Sequence, residues 1–253
     1  MPKYAIQLSY VGTRYAGWQS QKNAVSVQNK LDQALSIVLK EEIETVSSSR
    51  TDTGVHAKQQ FCHFEYSLPL PKNIVRQLNG ILPNDIAVQV IYQVPDTFHA
   101  RFDAIYRSYE YHVIQQKDPF LYQRAYFLTR PLNIELMNQG ANFLLSQSNF
   151  KSFCKVKSET KSYICKLRYA YWKEIAPKHL IFYISSNRFL YGMVRAIVGT
   201  LIELGEEKIT LTQLEEIAYS QDRRKAKYSA PAEGLFLTEV AYPWDWNQFP
   251  CWK

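Results

Sequence analysis

The apolar residues of this chain keep changing rhythm, and that alternation limits the folds open to it. Tyr4–Tyr10 reads as a strand, followed by a turn over Gly12–Gln21 that holds two glycines. Behind Ser26, a candidate N-cap, Val27, Leu31, Ala34, Leu35 and Val38 recur at helical spacing up to Lys40. Thr45–Ser49 and His56–Tyr66 read as strands either side of a sharp turn at Gly54, Lys72–Gly80 as a short helix and Ile86–Val94 as another strand. Arg107–Ile114 alternates, which puts Tyr109, Tyr111 and Val113 on one face. A second series follows: a helix over Asn133–Leu145, strands over Ser162–Trp172 and His179–Ser186, an apolar helix over Phe189–Leu204, a helix from Thr210 and a closing strand over Leu235–Tyr242. Two successive groups of strands and helices predict an α+β fold of two units able to share one sheet. No repeat or Gly/Ser-rich linker separates them, and Asp118-Pro119 breaks the pattern, so the lobes are placed at 1–118 and 119–253.

A chain of 253 residues can bury a substantial core, and no apolar run approaches the ~18 residues a membrane span needs. The start, Met1-Pro2-Lys3-Tyr4-Ala5-Ile6-Gln7, lacks a signal-peptide apolar block, so a cytoplasmic location is expected. Cys62, Cys154, Cys165 and Cys251 form no Cys-x-x-Cys pair, and the five histidines form no ligand pattern; neither disulfides nor a metal is expected. Thirty Lys and Arg against 23 Asp and Glu leave a net charge of +7. Most of the excess sits in one stretch. Lys151, Lys155, Lys157, Lys161, Lys166, Arg168 and Lys173 face one acid, Glu159, and Phe153, Tyr163, Tyr169, Tyr171 and Trp172 lie among them. Cations for phosphates beside aromatic planes for exposed bases are what RNA loops require, which makes Lys155, Lys157 and Lys161 candidate RNA contacts. A solvated face whose aromatics point into the core would carry the same composition.

Ser47-Ser48-Ser49-Arg50-Thr51-Asp52-Thr53-Gly54-Val55-His56-Ala57 packs a guanidinium, a carboxylate, a glycine and an imidazole into a strand-to-strand turn. Taken alone this reads as an Asx-turn, with Asp52 bonded to backbone and Gly54 at positive φ. The segment Arg50–Ala57 also closely resembles the catalytic loop of the tRNA pseudouridine synthase A family. Four further blocks are similar to that family in the same order: Tyr10–Gln21 (YVGTRYAGWQSQ), Phe98–Ala104 (FHARFDA) running into the Arg107–Tyr111 strand, Phe189–Gly199 (FLYGMVRAIVG) and Ala230–Leu235 (APAEGL). The resemblance implies a pseudouridine synthase fold of two α+β lobes sharing a mostly antiparallel sheet, no cofactor, a homodimer, and tRNA as the partner, modified in the anticodon stem-loop at positions 38–40.

It also implies site roles. Asp52 becomes the nucleophile, Tyr109 the plane that holds the uracil, and Arg195 the cation paired with Asp52, although without the resemblance Arg195 reads as the solvent face of an amphipathic helix. Arg50 becomes the group that fills the place of a flipped nucleotide or binds its phosphate, and His56 an orienting residue. Tyr111 reads as a core aromatic. Two positions depart from the family pattern: Ser49 stands where glycine is usual, and Thr53 where alanine is usual. If the Ser49 position needed positive φ, serine would cost on the order of 1–2 kcal/mol. A non-catalytic RNA-binding protein on the same scaffold is the second reading; a glycoside hydrolase would want two carboxylates, and only Asp52 is singled out.

Overall fold

The computed structural model of the protein describes residues 1–155, 160–226 and 228–253. In chain order its regular elements are β1 Lys3–Tyr10, α1 Val27–Leu39, β2 Val46–Ser47, β3 His56–Glu65, α2 Ile74–Ile81, β4 Ile86–Val94, β5 Tyr106–Ile114, β6 Tyr126–Phe127, α3 Ile134–Leu145, β7 Leu167–Ala176, β8 His179–Ser186, α4 Met193–Gly205, α5 Leu211–Tyr219, β9 Leu235–Ala241 and β10 Cys251–Trp252. The architecture is mixed α+β. Two compact units emerge, one of Met1–Ile105 with Phe236–Lys253, the other of Tyr106–Leu235. The sequence boundary at 118/119 rested on the Asp118-Pro119 break. In the structure β5, upstream of that break, groups with the second unit, and the chain's end returns to the first.

In the first unit β1 lies between β3 and β4, antiparallel to both, and β10 extends the sheet beyond β4. The pairing Ile6↔Cys62 and Ile6↔Ile91 sets a register that buries Ile6 and Leu8 completely. β9 joins β3 in parallel through His56↔Phe236 and Ala57↔Leu237. Helix α1 begins where Ser26 Oγ accepts the Asn29 N–H and ends where Lys40 turns to φ 57°, and it buries Val27, Leu31 and Leu35. In the second unit β8 runs antiparallel between β5 and β7. Asn138 of α3 docks on β7 by giving and taking one hydrogen bond each with the Trp172 backbone (3.1 and 2.7 Å). Thr210 and Gln213 close a reciprocal capping box at the start of α5.

Two expected elements are redrawn. The helix expected over Phe189–Leu204 starts at Met193, because Gly192 adopts φ 69° and the Tyr191 carbonyl accepts the Lys155 N–H. The strand expected from Ser162 starts at Leu167, because the Tyr163 carbonyl and the Cys165 amide are bonded to Phe150 and Ser148 instead of to a strand partner. Phe98–Ala104 is a turn, and only Tyr106–Ile114 after it is strand. None of the helices among the described residues is long and apolar enough to cross a membrane.

Asp32 of α1 accepts both the N–H (3.2 Å) and the hydroxyl (2.7 Å) of Thr45, immediately before β2. Burial raises its pKa to about 7, against the hydrogen bonds from Thr45. The folded state thus holds a proton that the unfolded chain releases near pH 4, so Asp32's contribution to stability is full below that pH and is lost as pH rises to about 7. Urea unfolding at pH 5 and pH 8 is expected to show wild type losing more stability over this interval than Asp32→Asn; equal losses would contradict the assignment.

Candidate active site

The Asp52 loop is fixed from both ends. At its stem the Ser48 N–H donates to the Phe61 carbonyl (2.7 Å), Gln60 Nε2 donates to the Ser49 carbonyl (2.9 Å), and the Ser48 hydroxyl bonds to Gln60 Oε1. Gln60 is fully buried, a polar clamp inside β3. At its tip the Val55 N–H donates to the Asp52 carbonyl (3.1 Å), closing a turn with Gly54 at φ 80°, the geometry for which a glycine at the third position is required. Asp52 is partly buried at the head of this turn, Arg50 is exposed, and Thr53 projects outward.

The segment after β1 forms the platform beneath. The Trp18 N–H donates to the Thr51 carbonyl (3.2 Å), the Gly54 N–H to the Tyr15 carbonyl (3.2 Å), and the Tyr10 hydroxyl bonds to Thr51 Oγ1 (2.9 Å). Two glycines make this approach possible. A Cβ on Gly12 would overlap the Val55 carbonyl, and one on Gly17, which also sits at φ 85°, would overlap the Thr51 carbonyl. The Gly12 N–H donates to His56 Nδ1 (3.0 Å), so this nitrogen carries no proton; the ring is buried and stacked on Phe236. His56 therefore acts as a brace. Ser49 is not among the described residues with positive φ, so the strain considered for a serine there does not arise.

The second unit holds the other candidates. Tyr109 and Tyr111 share a face of β5, opposite Ile184 and Phe182 of β8. Tyr111 is fully buried, its hydroxyl donating to the Pro231 carbonyl (2.8 Å), and burial pushes that phenol well above its usual range. Tyr109 lies edge-on to Phe189 (centroids 5.1 Å apart), in the segment leading into α4. Arg195, in the first turn of α4, is partly buried; its Nε donates to the Ala230 carbonyl (2.7 Å) while its own carbonyl accepts the Ala230 N–H (2.9 Å). The Ala230–Leu235 block is thus the acceptor ledge for both Arg195 and Tyr111. Arg50, Asp52 and His56 belong to the first unit, Tyr109 and Arg195 to the second.

In the basic stretch Phe153 and Trp172 are core residues, whereas Tyr171 is exposed and Tyr163 and Tyr169 are partly exposed. Lys155 is exposed, its Nζ 4.6 Å from the Tyr191 ring centroid and bonded to the Tyr191 hydroxyl (3.2 Å). Arg168 covers the Tyr106 ring at 3.8 Å. Lys161 is exposed; Lys157 and Lys227 lie outside the described residues.

The model of the tRNA pseudouridine synthase family matches residues 6–103 and 143–243. The tRNA pseudouridine synthase A of Azobacteroides pseudotrichonymphae genomovar. CFP2 is 42% identical over 244 residues, 96% of this chain and 98% of that protein. Those of Bacteroides fragilis (41% over 244 residues, 95% and 96%) and Clostridium acetobutylicum (39% over 245 residues, 96% and 100%) are similarly related. Among solved structures, a chain of a Cbf5-Nop10-Gar1 complex matches with TM-score 0.37 and 11% identity, covering 80% of this chain and 45% of that one, a likeness too remote to bear on the site. The chain belongs to the tRNA pseudouridine synthase family, enzymes that isomerise uridine in tRNA.

The sequence showed the Asp52 loop but not its supports. Gln60 was missed; its only signal is an amide directly before the buried Phe61-Cys62 pair of β3. The glycine platform makes a sharp contrast measurable by urea unfolding. Gly17→Ala is expected to lose at least about 1–2 kcal/mol from its φ alone, with further loss from displacing the loop. Ser49→Gly is expected to gain nothing and to lose up to about 1 kcal/mol through backbone entropy; stabilisation by Ser49→Gly would contradict the relaxed φ.

Proposed function

We propose that this chain converts uridine to pseudouridine in the anticodon stem-loop of tRNA, as a cytoplasmic homodimer, with Asp52 as nucleophile. The reaction breaks the bond from ribose C1′ to uracil N1, turns the base and joins C1′ to C5; the C5 proton leaves and N1 takes one up, with nothing oxidised and no group imported. Such a step needs a carboxylate to activate cleavage, a plane to retain the base and little water around them. Asp52 supplies the carboxylate. Burial disfavours an ionised carboxylate unless a cation or hydrogen bonds compensate, and the cation's role is assigned to Arg195, whose Nε is already directed by the Ala230 carbonyl. Tyr109 supplies the plane, and Arg50, exposed two residues before the nucleophile, enters the place of the extruded nucleotide or holds its phosphate.

The observation that carries the reading is the position of Asp52, at the head of a turn whose backbone is bonded on one side to β3 and on the other to the Tyr10–Trp18 segment. A retained, fully braced loop also speaks against the reading of a non-catalytic RNA-binding scaffold, which rested on distortion at Ser49. With tRNA tritiated at uracil C5, wild type is expected to release label and Asp52→Asn to release none above background; turnover by Asp52→Asn at a rate near wild type would contradict the nucleophile.

The cations of the basic stretch support a second expectation. Neutralising Lys155, Lys157 and Lys161 together is expected to weaken tRNA binding and to lower the slope of log affinity against log salt by up to about 3, leaving the single-turnover rate at saturating enzyme nearly unchanged. Unaltered binding would make the stretch a solvated face.

A further inference from the structure

The Phe98–Ala104 block has no part in the site described above, yet it is a firmly bonded turn of the first unit. Phe98, Ala100 and Ala104 are buried, while Arg101 between them is exposed and Phe102 is 75% exposed. Every backbone N–H from Phe98 to Asp103 has an acceptor. Phe98 donates to the Pro95 carbonyl, His99 to Asp103 Oδ2, Ala100 to His63 Nδ1, Arg101 to His99 Nδ1, and both Phe102 and Asp103 to the His99 carbonyl, all between 2.8 and 3.2 Å. The Tyr242 hydroxyl donates to the Ala100 carbonyl (2.6 Å). His63 and His99 each accept at Nδ1, and burial lowers both pKa values, His63 to about 4, so the turn is built on neutral imidazoles across the physiological range.

This frame holds an apolar ring in water. The inner side of Phe102 lies on His99, centroids 4.2 Å apart and planes at 36°, and the Arg101 guanidinium lies 5.8 Å from its centroid. A lone ring flanked in sequence by His99, Arg101 and Asp103 is a poor seed for an apolar protein interface, which needs a contiguous patch. It suits a flat partner carrying negative charge. A ring already fixed in place loses little freedom on stacking, and a cation at its side favours a polyanion.

We propose that Phe102 is a stacking platform for an unpaired base of the bound tRNA, with Arg101 as the accompanying cation. The proposal rests on the reading of the chain as a tRNA-modifying enzyme, but it concerns binding, not bond making. The experiment measures affinity for unmodified tRNA across a salt series for wild type, Phe102→Ala, Phe102→Leu, Phe102→Trp and Arg101→Gln, with a blunt RNA duplex of matched length as the second ligand. Tritium release from tRNA labelled at uracil C5 and thermal melting are followed in parallel.

Phe102→Ala and Phe102→Leu are expected to bind tRNA about 5- to 100-fold more weakly with an unchanged salt slope, and Phe102→Trp to stay within about twofold of wild type. Arg101→Gln is expected to lower the salt slope by about 1, and the duplex to bind equally to wild type and Phe102→Ala. The exposed position lets the Phe102 variants melt like wild type. Wild-type affinity in Phe102→Ala, equal rescue by leucine and tryptophan, or an equal loss on the duplex would overturn the proposal. If wild type turns over and Phe102→Ala binds normally, only the platform fails; if affinity depends on Phe102 but wild type releases no tritium, only the catalytic reading fails.

Discussion

The close approach of backbone to backbone beneath the Asp52 loop governs the placing of the proposed nucleophile. Gly12 and Gly17 touch the carbonyls of Val55 and Thr51 where a methyl group would overlap them, and Trp18, Tyr15 and Tyr10 fasten the same loop by hydrogen bonds. A reacting carboxylate displaced by an ångström loses much of its advantage, so a loop with this duty gains from bonds to backbone atoms, whose positions the sheet fixes. The stem obeys the same rule. Gln60, fully buried in β3, spends both ends of its amide on Ser48 and Ser49.

The second unit uses a ledge in place of a loop. The carbonyls of Ala230 and Pro231 accept Arg195 and Tyr111, so one short extended segment orients a guanidinium on a helix and a phenol on a strand. Arg195 thereby has a fixed direction without a helix cap of the usual kind, since α4 starts at Gly192 in left-handed geometry. The family motifs are, in physical terms, pairs: one member bears the chemical group and the other supplies the glycine or carbonyl that aims it.

Local chemistry was the legible part of the sequence. Ser26, Asn133 and Thr210 announced their helices because capping acts within three residues, and Ile86–Val94 is a strand with the bounds expected of it. The turn at Gly54 was legible for the same reason, whereas the roles of Arg50, Asp52 and His56 came from the resemblance of their segment to the family's catalytic loop. Features set by distant partners were not legible. Phe98–Ala104 was legible only as a block resembling the family; His99, Asp103 and His63, one of them far away in sequence, satisfy its amides and coil it into a turn. The residue before the α4 cap is bonded to Lys155, far away in sequence, and the Ser49 carbonyl is held by Gln60 of β3. Pairing of β9 with β3 in parallel, which carries the chain's end back to the first unit, has no local signal at all.

The central claim, that this chain makes pseudouridine in the anticodon stem-loop through Asp52, is tested most directly by mapping pseudouridines in tRNA from cells lacking the protein. The account expects pseudouridine to vanish from the anticodon stem-loop, to return with the wild-type chain and to stay absent with Asp52→Asn supplied at the same level. An unchanged map in the deleted cells, or full restoration by the asparagine variant, would contradict it.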